Sequence, residues 1–178
     1  NLGAAYFGQH IMQEGAKAFE NGQKQPDLAP YKMFVSAYLL PEVSPSTIPD
    51  LRRSGIYPSY GYVVSKGLAD ACKRLEAESG LGVKIYASNI PFEGQTFDLG
   101  KKYNIDPVSV AFNGGEDYAL MFVISSRNFE KFHKDFPGFE AIGHLALPEV
   151  GAVVVTPDGA ELPIRANGWP KEDEQYEE

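Results

Sequence analysis

The stretch N-G-G-E-D-Y-A-L-M-F-V-I occupies residues 113–124 and joins a glycine-rich turn and two carboxylates to an unbroken apolar run. The two glycines allow the backbone to turn sharply and to approach a ligand closely. Residues 118–124 are too apolar for a strand with one solvated face, which predicts a strand buried on both faces. Glu116 and Asp117 then stand at the mouth of a buried strand, where they can accept hydrogen bonds from a cationic or amino-bearing ligand. The alternative is a turn with two solvated acids.

A second segment, Y-V-V-S-K-G-L-A-D at residues 62–70, reads as a strand that runs into the N-terminus of a helix. Amides exposed at a helix N-terminus attract anions, so Ser65 and Lys66 are candidate phosphate contacts. The alternative is an ordinary helix cap by Ser65 beside an exposed Lys66–Asp70 pair, which contributes about a few tenths of a kcal/mol.

The only tryptophan, Trp169, lies late in the chain between a glycine and a proline. A tryptophan on a loop can act as a lid that stacks on an aromatic ring of a ligand. It can equally be a hydrophobic clasp that fastens the C-terminal segment to the domain. The sequence leaves both readings open.

Hydrophobic periodicity and turn residues predict the other elements around these three segments. Helices are predicted over 2–19, 31–40, 67–79, 96–103, 106–112 and 126–136, with a short one from the start signal at 44–47 to Arg53. Further strands are predicted over 60–64, 83–87, 141–144, 152–156 and 161–164. Gly8 or Gly15, inside the first helix, is expected to mark close packing. Helices and strands are interleaved without strict alternation, which favours an α+β fold with helices packed on a mixed sheet.

Composition limits the class of protein. The 178 residues contain 16 basic and 24 acidic side chains, for a formal charge of −8, so neither nucleic acid nor an anionic membrane is expected as the main partner. The single cysteine, Cys72, excludes an internal disulfide and indicates a reducing, cytoplasmic compartment. Residues 1–170 are predicted to form one domain and 171–178 a flexible acidic tail. Because the chain starts with Asn1 inside what reads as an element, its natural start is expected upstream.

Several catalytic signatures are missing from the sequence. It has no phosphate-binding loop of the Walker type and no G-x-G-x-x-G that opens a helix after a strand. His10, His133 and His144 lie far apart without metal-ligand spacing, and no serine or cysteine nucleophile motif is present. We therefore assign no catalytic residue and no metal ligand.

Taken together, the motifs resemble those of a known family. N-G-G-E-D-Y-A-L-M-F (113–122) is similar to the G-G-E-D-Y-E-L-L-F signature of thiamine-monophosphate kinase, and S-K-G-L-A-D (65–70) stands where that family carries S-D-G-L-A. Order and spacing agree along most of the chain through L-G-A-A (2–5), A-I-G-H (141–144), V-T-P-D-G (155–159) and G-W (168–169). The resemblance is to the C-terminal half of the kinase. It implies an α+β domain like the C-terminal domain of aminoimidazole ribonucleotide synthetase, related to the ferredoxin-like arrangement and shared with selenophosphate synthetase and a hydrogenase maturation factor.

The resemblance also implies an activity and a set of partners. Family enzymes transfer the γ-phosphoryl group of ATP to thiamine monophosphate, with magnesium. The N-terminal half, which we expect to be absent from this chain, supplies most metal and nucleotide ligands and forms the dimer. Glu116, Asp117 and Trp169 are the implied contacts to thiamine monophosphate or a related small molecule, and Ser65 and Lys66 the implied phosphate contacts.

One departure from the family pattern affects the expected activity. The family's magnesium-binding aspartates stand in I-D-x-S-D-G-L, and Val63 and Lys66 replace them here. Magnesium requires oxygen ligands, which valine and lysine do not offer. We therefore expect neither magnesium nor ATP to bind tightly to this chain alone, and we expect the chain alone to be inactive. The expected partner is an N-terminal kinase domain or a second copy; the alternative function is a non-catalytic ligand-binding or interaction module.

Overall fold

The computed structural model describes residues 1–42 and 44–170, so the predicted acidic tail at 171–178 lies outside the described residues. Within these ranges the chain forms seven α-helices and six β-strands. The helices are α1 (Ala4–Glu20), α2 (Lys32–Leu39), α3 (Thr47–Arg53), α4 (Leu68–Ser79), α5 (Thr96–Tyr103), α6 (Pro107–Asn113) and α7 (Phe129–Asp135). The strands are β1 (Tyr60–Val64), β2 (Gly82–Tyr86), β3 (Ala119–Val123), β4 (Gly143–Ala146), β5 (Ala152–Val155) and β6 (Glu161–Pro163). Every predicted element is present, with shifts of a few residues at its ends.

The strands form two sheets. β1 and β3 pair antiparallel, with Tyr60 opposite Val123 and Val64 opposite Ala119. The other four strands form a sheet in the order β4-β2-β5-β6, in which β2 and β5 are parallel and the outer pairs are antiparallel. The predicted mixed sheet is therefore found, but the strand that carries the glycine-rich turn belongs to the separate two-stranded sheet.

The contact between α1 and α2 depends on a glycine. A Cβ atom added at Gly8 would lie 2.1 Å from the carbonyl oxygen of Phe34, so only glycine allows the two helices to approach this closely. At Gly15 the nearest atoms would be 3.9 Å away, so close packing is confirmed at the first of the two predicted positions and not at the second. Phe7 and Phe34 are fully buried in the core between these helices.

Helix α4 supplies the largest core. Its residues Leu68, Cys72 and Leu75 are buried against β2, which buries Val83 and Ile85. Burial raises the pKa of the Cys72 thiol to about 12, so this cysteine behaves as a small core residue at neutral pH. No helix in the described part of the chain has the length and apolar character to cross a bilayer.

Strand β3 contacts apolar clusters on both faces, in agreement with its sequence. Met121 belongs to the core around α4, whereas Phe122 packs with Phe132 of α7, 5.6 Å between ring centroids. Only Met121 in this strand is buried, and its other four residues are half-exposed. The prediction of a fully buried strand is therefore wrong in degree.

Candidate functional site

The two segments that stand out in the sequence lie against each other. The backbone N–H of Glu116 donates a hydrogen bond to the carbonyl oxygen of Ser65 over 2.8 Å. The N–H of Tyr118 donates to the carbonyl oxygen of Val64 over 2.9 Å. We call residues 64–67 with residues 113–118 the corner–turn site. The predicted phosphate contacts and the predicted substrate carboxylates thus share one locality, although about fifty residues separate them in the chain.

The turn within this site holds an uncommon backbone conformation. Gly115, Glu116 and Tyr118 have positive φ angles of 71°, 60° and 50°. Positive φ costs a residue with a side chain about 1–2 kcal/mol, so Glu116 and Tyr118 store strain that the two hydrogen bonds to the corner help to offset. The side chain of Glu116 is exposed.

The corner depends on Gly67. Its φ of 88° and ψ of 163° belong to a region that is essentially restricted to glycine. An added Cβ would lie 2.2 Å from the carbonyl oxygen of Phe112, so the start of α4 packs directly on the end of α6. The predicted cap by Ser65 is wrong: α4 begins at Leu68 with Gly67 at the cap position and no side-chain cap.

Asp117 caps a different helix. Its carboxylate accepts hydrogen bonds from the backbone N–H groups of Gly3, over 2.7 Å, and Ala5, over 3.3 Å, at the start of α1. Burial raises the pKa of Asp117 by more than these backbone hydrogen bonds lower it. The sequence held a signal for this contact, because α1 starts after Leu2 and Gly3 without a serine, threonine or acid to cap it.

The remaining predicted contacts at this site are open to solvent. Glu116 and Lys66 are exposed and Ser65 is half-buried. Within residues 1–42 and 44–170, the side chains of Glu116 and Lys66 make no hydrogen bond or ion pair. Two segments whose backbones are in contact thus carry an exposed carboxylate and an exposed ammonium group without protein partners in the described residues.

Trp169 contacts α4, the helix that begins at the corner–turn site. Its indole Nε1–H donates a hydrogen bond over 3.0 Å to Oδ1 of Asp70, in the first turn of α4. Oδ2 of Asp70 pairs with Arg74 over 2.8 Å, so Asp70 does not form the alternative pair with Lys66. This hydrogen bond attaches the C-terminal segment to α4 through a polar contact, whereas the clasp reading expected a hydrophobic one, and Trp169 stays partly exposed.

The side chain of Asn113 also attaches the C-terminal segment to the domain, a role that the sequence did not predict. Its side-chain amide donates to the carbonyl oxygen of Arg165 over 3.1 Å and accepts from the N–H of Asn167 over 3.3 Å. An asparagine before two glycines reads as a turn residue in sequence, and only the fold supplies its distant partners.

The corner does not fit magnesium. Val63 is 47% exposed and offers no oxygen, and Lys66 places a positive charge beside it. In the part of the chain that the structure describes, no three His, Cys, Asp or Glu side chains gather as a possible metal site. A hard divalent cation needs several oxygen ligands, so we derive no step through a metal at this corner.

The fold itself is shared with solved proteins. The crystal structure of thiamine monophosphate kinase from Aquifex aeolicus superposes with a TM-score of 0.69 at 20% identity, covering 92% of this chain and 49% of that one. A complex described as AaThiL with AMPPCP and TMP gives 0.66 at 20% identity, covering 93% and 48%. A HypE-HypF complex gives 0.56 at 16% identity, covering 86% and 49%. The chain thus has an α+β fold of the aminoimidazole ribonucleotide synthetase type, as predicted.

Two curated relatives that match part of this chain are both named thiamine-monophosphate kinase. Thiamine-monophosphate kinase of Methanopyrus kandleri is 28% identical over 58 residues, which cover 33% of this chain and 19% of the relative. The Aquifex aeolicus enzyme of the same name is 28% identical over 76 residues, 43% of this chain and 25% of the relative. No family model matches the chain. The fold is that of a thiamine-monophosphate-kinase-like protein, and the chain spans about half the length of the solved structures, which fits the predicted C-terminal domain.

Proposed function

We propose that this chain is the substrate-side half of a thiamine-monophosphate-kinase-like phosphotransferase and that it holds the phosphorylated substrate at the corner–turn site. The observation that carries the proposal is the 2.8 Å hydrogen bond from the backbone N–H of Glu116 to the backbone carbonyl oxygen of Ser65, because it holds the residue of the candidate carboxylate beside the residue of the candidate phosphate contact. The relatives and solved structures named thiamine-monophosphate kinase support the substrate class.

On the phosphate side, three features act together in this proposal. The start of α4 has no side-chain cap, so its first amides lack a side-chain acceptor, whose place an anion could take. Lys66 adds a point charge and Ser65 a hydroxyl donor. These groups bind a phosphate monoester without a metal ion.

On the other side, the exposed carboxylate of Glu116 accepts hydrogen bonds from the amino group or balances the positive charge of thiamine monophosphate. In this proposal Asp117 holds the turn in place and does not contact the ligand directly, because its carboxylate oxygens already accept hydrogen bonds from the start of α1. Trp169, fixed edge-on by Asp70, offers the rest of its indole ring for stacking.

Phosphoryl transfer needs more than this chain supplies. The resemblance implies ATP as the co-substrate and magnesium as the metal ion, yet Val63 and Lys66 stand where the two aspartates are expected at the corner. The proposal therefore assigns catalysis to a complex with an N-terminal kinase domain or a second copy, in a reducing, cytoplasmic compartment.

Calorimetric titration with thiamine monophosphate in EDTA tests the binding step. We expect measurable heat, a change in Trp169 fluorescence and competition by inorganic phosphate. Glu116→Gln and Lys66→Ala each weaken binding about tenfold, since each removes one charge-assisted contact, whereas Glu149→Gln, a matched exposed acid, leaves it unchanged. No heat at millimolar ligand, or unaltered binding by Glu116→Gln, contradicts the proposal.

The second candidate function is a non-catalytic ligand-binding or interaction module derived from the same family. Val63 and Lys66 favour it, since they abolish the expected metal ligands while the turn remains intact. Addition of the N-terminal half of a thiamine-monophosphate kinase, ATP and magnesium separates the two functions. Formation of thiamine diphosphate supports the phosphotransferase, and intact binding without product supports the module.

A further inference from the structure

A cavity of about 740 Å³ lies between strand β3 of the two-stranded sheet and strand β4 of the four-stranded sheet. We call it the inter-sheet slot. Its walls include each residue of 119–124 and each residue of 141–145. Val64 of the corner–turn site lines one end of it, but the candidate ligand contacts Ser65, Lys66, Glu116, Asp117 and Trp169 do not.

The uninterrupted lining fixes the orientation of both strands toward the slot. Successive side chains of a strand point to opposite faces, so a cavity against one face is lined by alternate residues only. A cavity that contacts every residue of a strand reaches the backbone of that strand as well as its side chains. We therefore place the slot along the edges of β3 and β4 that no described strand pairs with.

The other two sides of the slot belong to helical layers and are mainly apolar, although His133 of α7 and Glu140 also line it. Leu68 and Leu75 of α4 line one side, and Phe129 and Phe132 of α7 line the other. The two faces of β3 divide in the same way, with Met121 toward the α4 core and Phe122 toward α7. The slot thus occupies the position of a strand within the sheet layer, between two layers of helices.

The two facing edges are unpaired. In the described ranges, β3 pairs only with β1 and β4 only with β2. Such edges present rows of N–H and C=O groups that lack a partner. The outer edge strand β6 is protected by a charge and a proline, Glu161 and Pro163, whereas β3 is the wholly apolar A-L-M-F-V.

We propose that the inter-sheet slot binds an extended, uncharged peptide segment of a partner protein, five or six residues long and apolar on both faces, as an added strand. The segment's N–H and C=O groups pair with the edges of β3 or β4, and its alternate side chains enter the α4 and α7 layers. A hydrocarbon or aromatic ligand of the same volume would fill the slot but leave both backbone rows without partners. Only a peptide backbone repeats donors and acceptors at the spacing of a strand.

The test uses a fluorescein-labelled decapeptide with a six-residue core of alternating valine and isoleucine and two lysines at each end. The control peptide has the same sequence with alternate core amides N-methylated, which removes donors but keeps charge and hydrophobicity. We expect fluorescence anisotropy to show saturable binding of the first peptide and at least tenfold weaker binding of the second. Hydrogen exchange of amides in 119–124 and 143–146 should slow on binding, with no change in 161–163.

A matched pair of variants locates the binding. Ala141 is exposed and lines the slot, so Ala141→Trp fills it and weakens binding at least tenfold. Ala160→Trp introduces the same side chain at an exposed alanine in the turn before β6 and leaves binding unchanged. Equal binding of the two peptides, no binding of either, or concentration-dependent dimerisation that Ala141→Trp abolishes would each overturn the proposal, the last because a second copy then fills the slot.

Discussion

The corner–turn site and the inter-sheet slot differ in whether their backbone groups have hydrogen-bond partners. At the site, N–H and C=O groups of two distant segments are joined at 2.8 and 2.9 Å, and the exposed groups are side chains. At the slot, β3 and β4 each have one edge that no described strand pairs with, so the groups left without partners belong to the backbone. A surface built from side chains is specific for a small charged ligand, whereas a surface built from backbone edges is specific for conformation. The two regions are therefore suited to different classes of partner.

The substitution with the largest expected effect is Gly67→Ala, which should disrupt the backbone of the corner–turn site. The new Cβ meets the carbonyl oxygen of Phe112 at 2.2 Å in a glycine-only conformation. We expect the free energy of unfolding to fall by about 3 kcal/mol or more. Urea unfolding followed by circular dichroism measures it.

Gly80→Ala is the control for that substitution. Gly80 also has a positive φ, 67°, but an added Cβ meets nothing within 4 Å. Its cost should be the conformational strain alone, about 1 kcal/mol. Equal losses for the two variants would mean that the contact with Phe112 contributes nothing.

Asp117→Ala should have the next largest effect. It leaves the first amides of α1 without their acceptor, and loss of a helix cap costs about 0.5–2 kcal/mol. Glu116→Ala should change stability by less than about 0.5 kcal/mol, because its side chain is exposed and unpaired within the described residues. If Asp117→Ala and Glu116→Ala lower the free energy of unfolding equally, Asp117 is not the helix cap and Glu116 is not the free carboxylate.

Trp169→Phe should lower stability by about 1 kcal/mol, the usual net value of one hydrogen bond. Asp70 keeps its pair with Arg74 in this variant, so the loss reports the indole group of Trp169 and not the ion pair. In a double-mutant cycle with Asp70→Ala, which removes the acceptor, measured by urea unfolding, additive losses would argue against the clasp.

The pH dependence of stability offers a smaller effect with a definite sign. The pKa of Asp117 is raised above its ordinary value of 3.8 by burial, so its contribution is fully present below pH 3.8 and is lost as the pH rises through the folded-state pKa. The advantage of wild type over Asp117→Asn should therefore shrink as the pH rises.

Glu14 provides the opposite case. Its hydrogen bond from Lys102 lowers its pKa below 4.5, so its contribution is present above pH 4.5 and is lost as the pH falls through the lowered value. The advantage of wild type over Glu14→Gln should grow as the pH rises. Parallel trends for both variants, in urea unfolding at several pH values, would contradict the assignment for Asp117.

The smallest expected effect belongs to the slot. Ala141→Trp should change stability by less than about 0.5 kcal/mol, because the residue is exposed and the slot has room. A loss of several kcal/mol would show that the edges of β3 and β4 approach each other more closely in solution than the slot requires.

Much of this molecule follows from local sequence. The strand at Tyr60–Val64 and the helix at Thr96–Tyr103 have the predicted bounds, because period-two and period-3.6 patterns act over a few residues. The adjacency of the two motif segments was anticipated through the family resemblance. The capping of α1 by Asp117 and the two bonds of Asn113 were not, because each joins groups more than fifty residues apart.

The sequence by itself determined the helices, the strands, the glycines at the tight corners and the charges available to a ligand. These depend on backbone conformation and side-chain chemistry, which each residue carries with it. The tertiary structure alone decided which acid serves a helix and which faces solvent, and it alone opened the edges of β3 and β4 to one slot. Strand pairing and burial are properties of distant neighbours, and no local pattern records which neighbours a strand will lack.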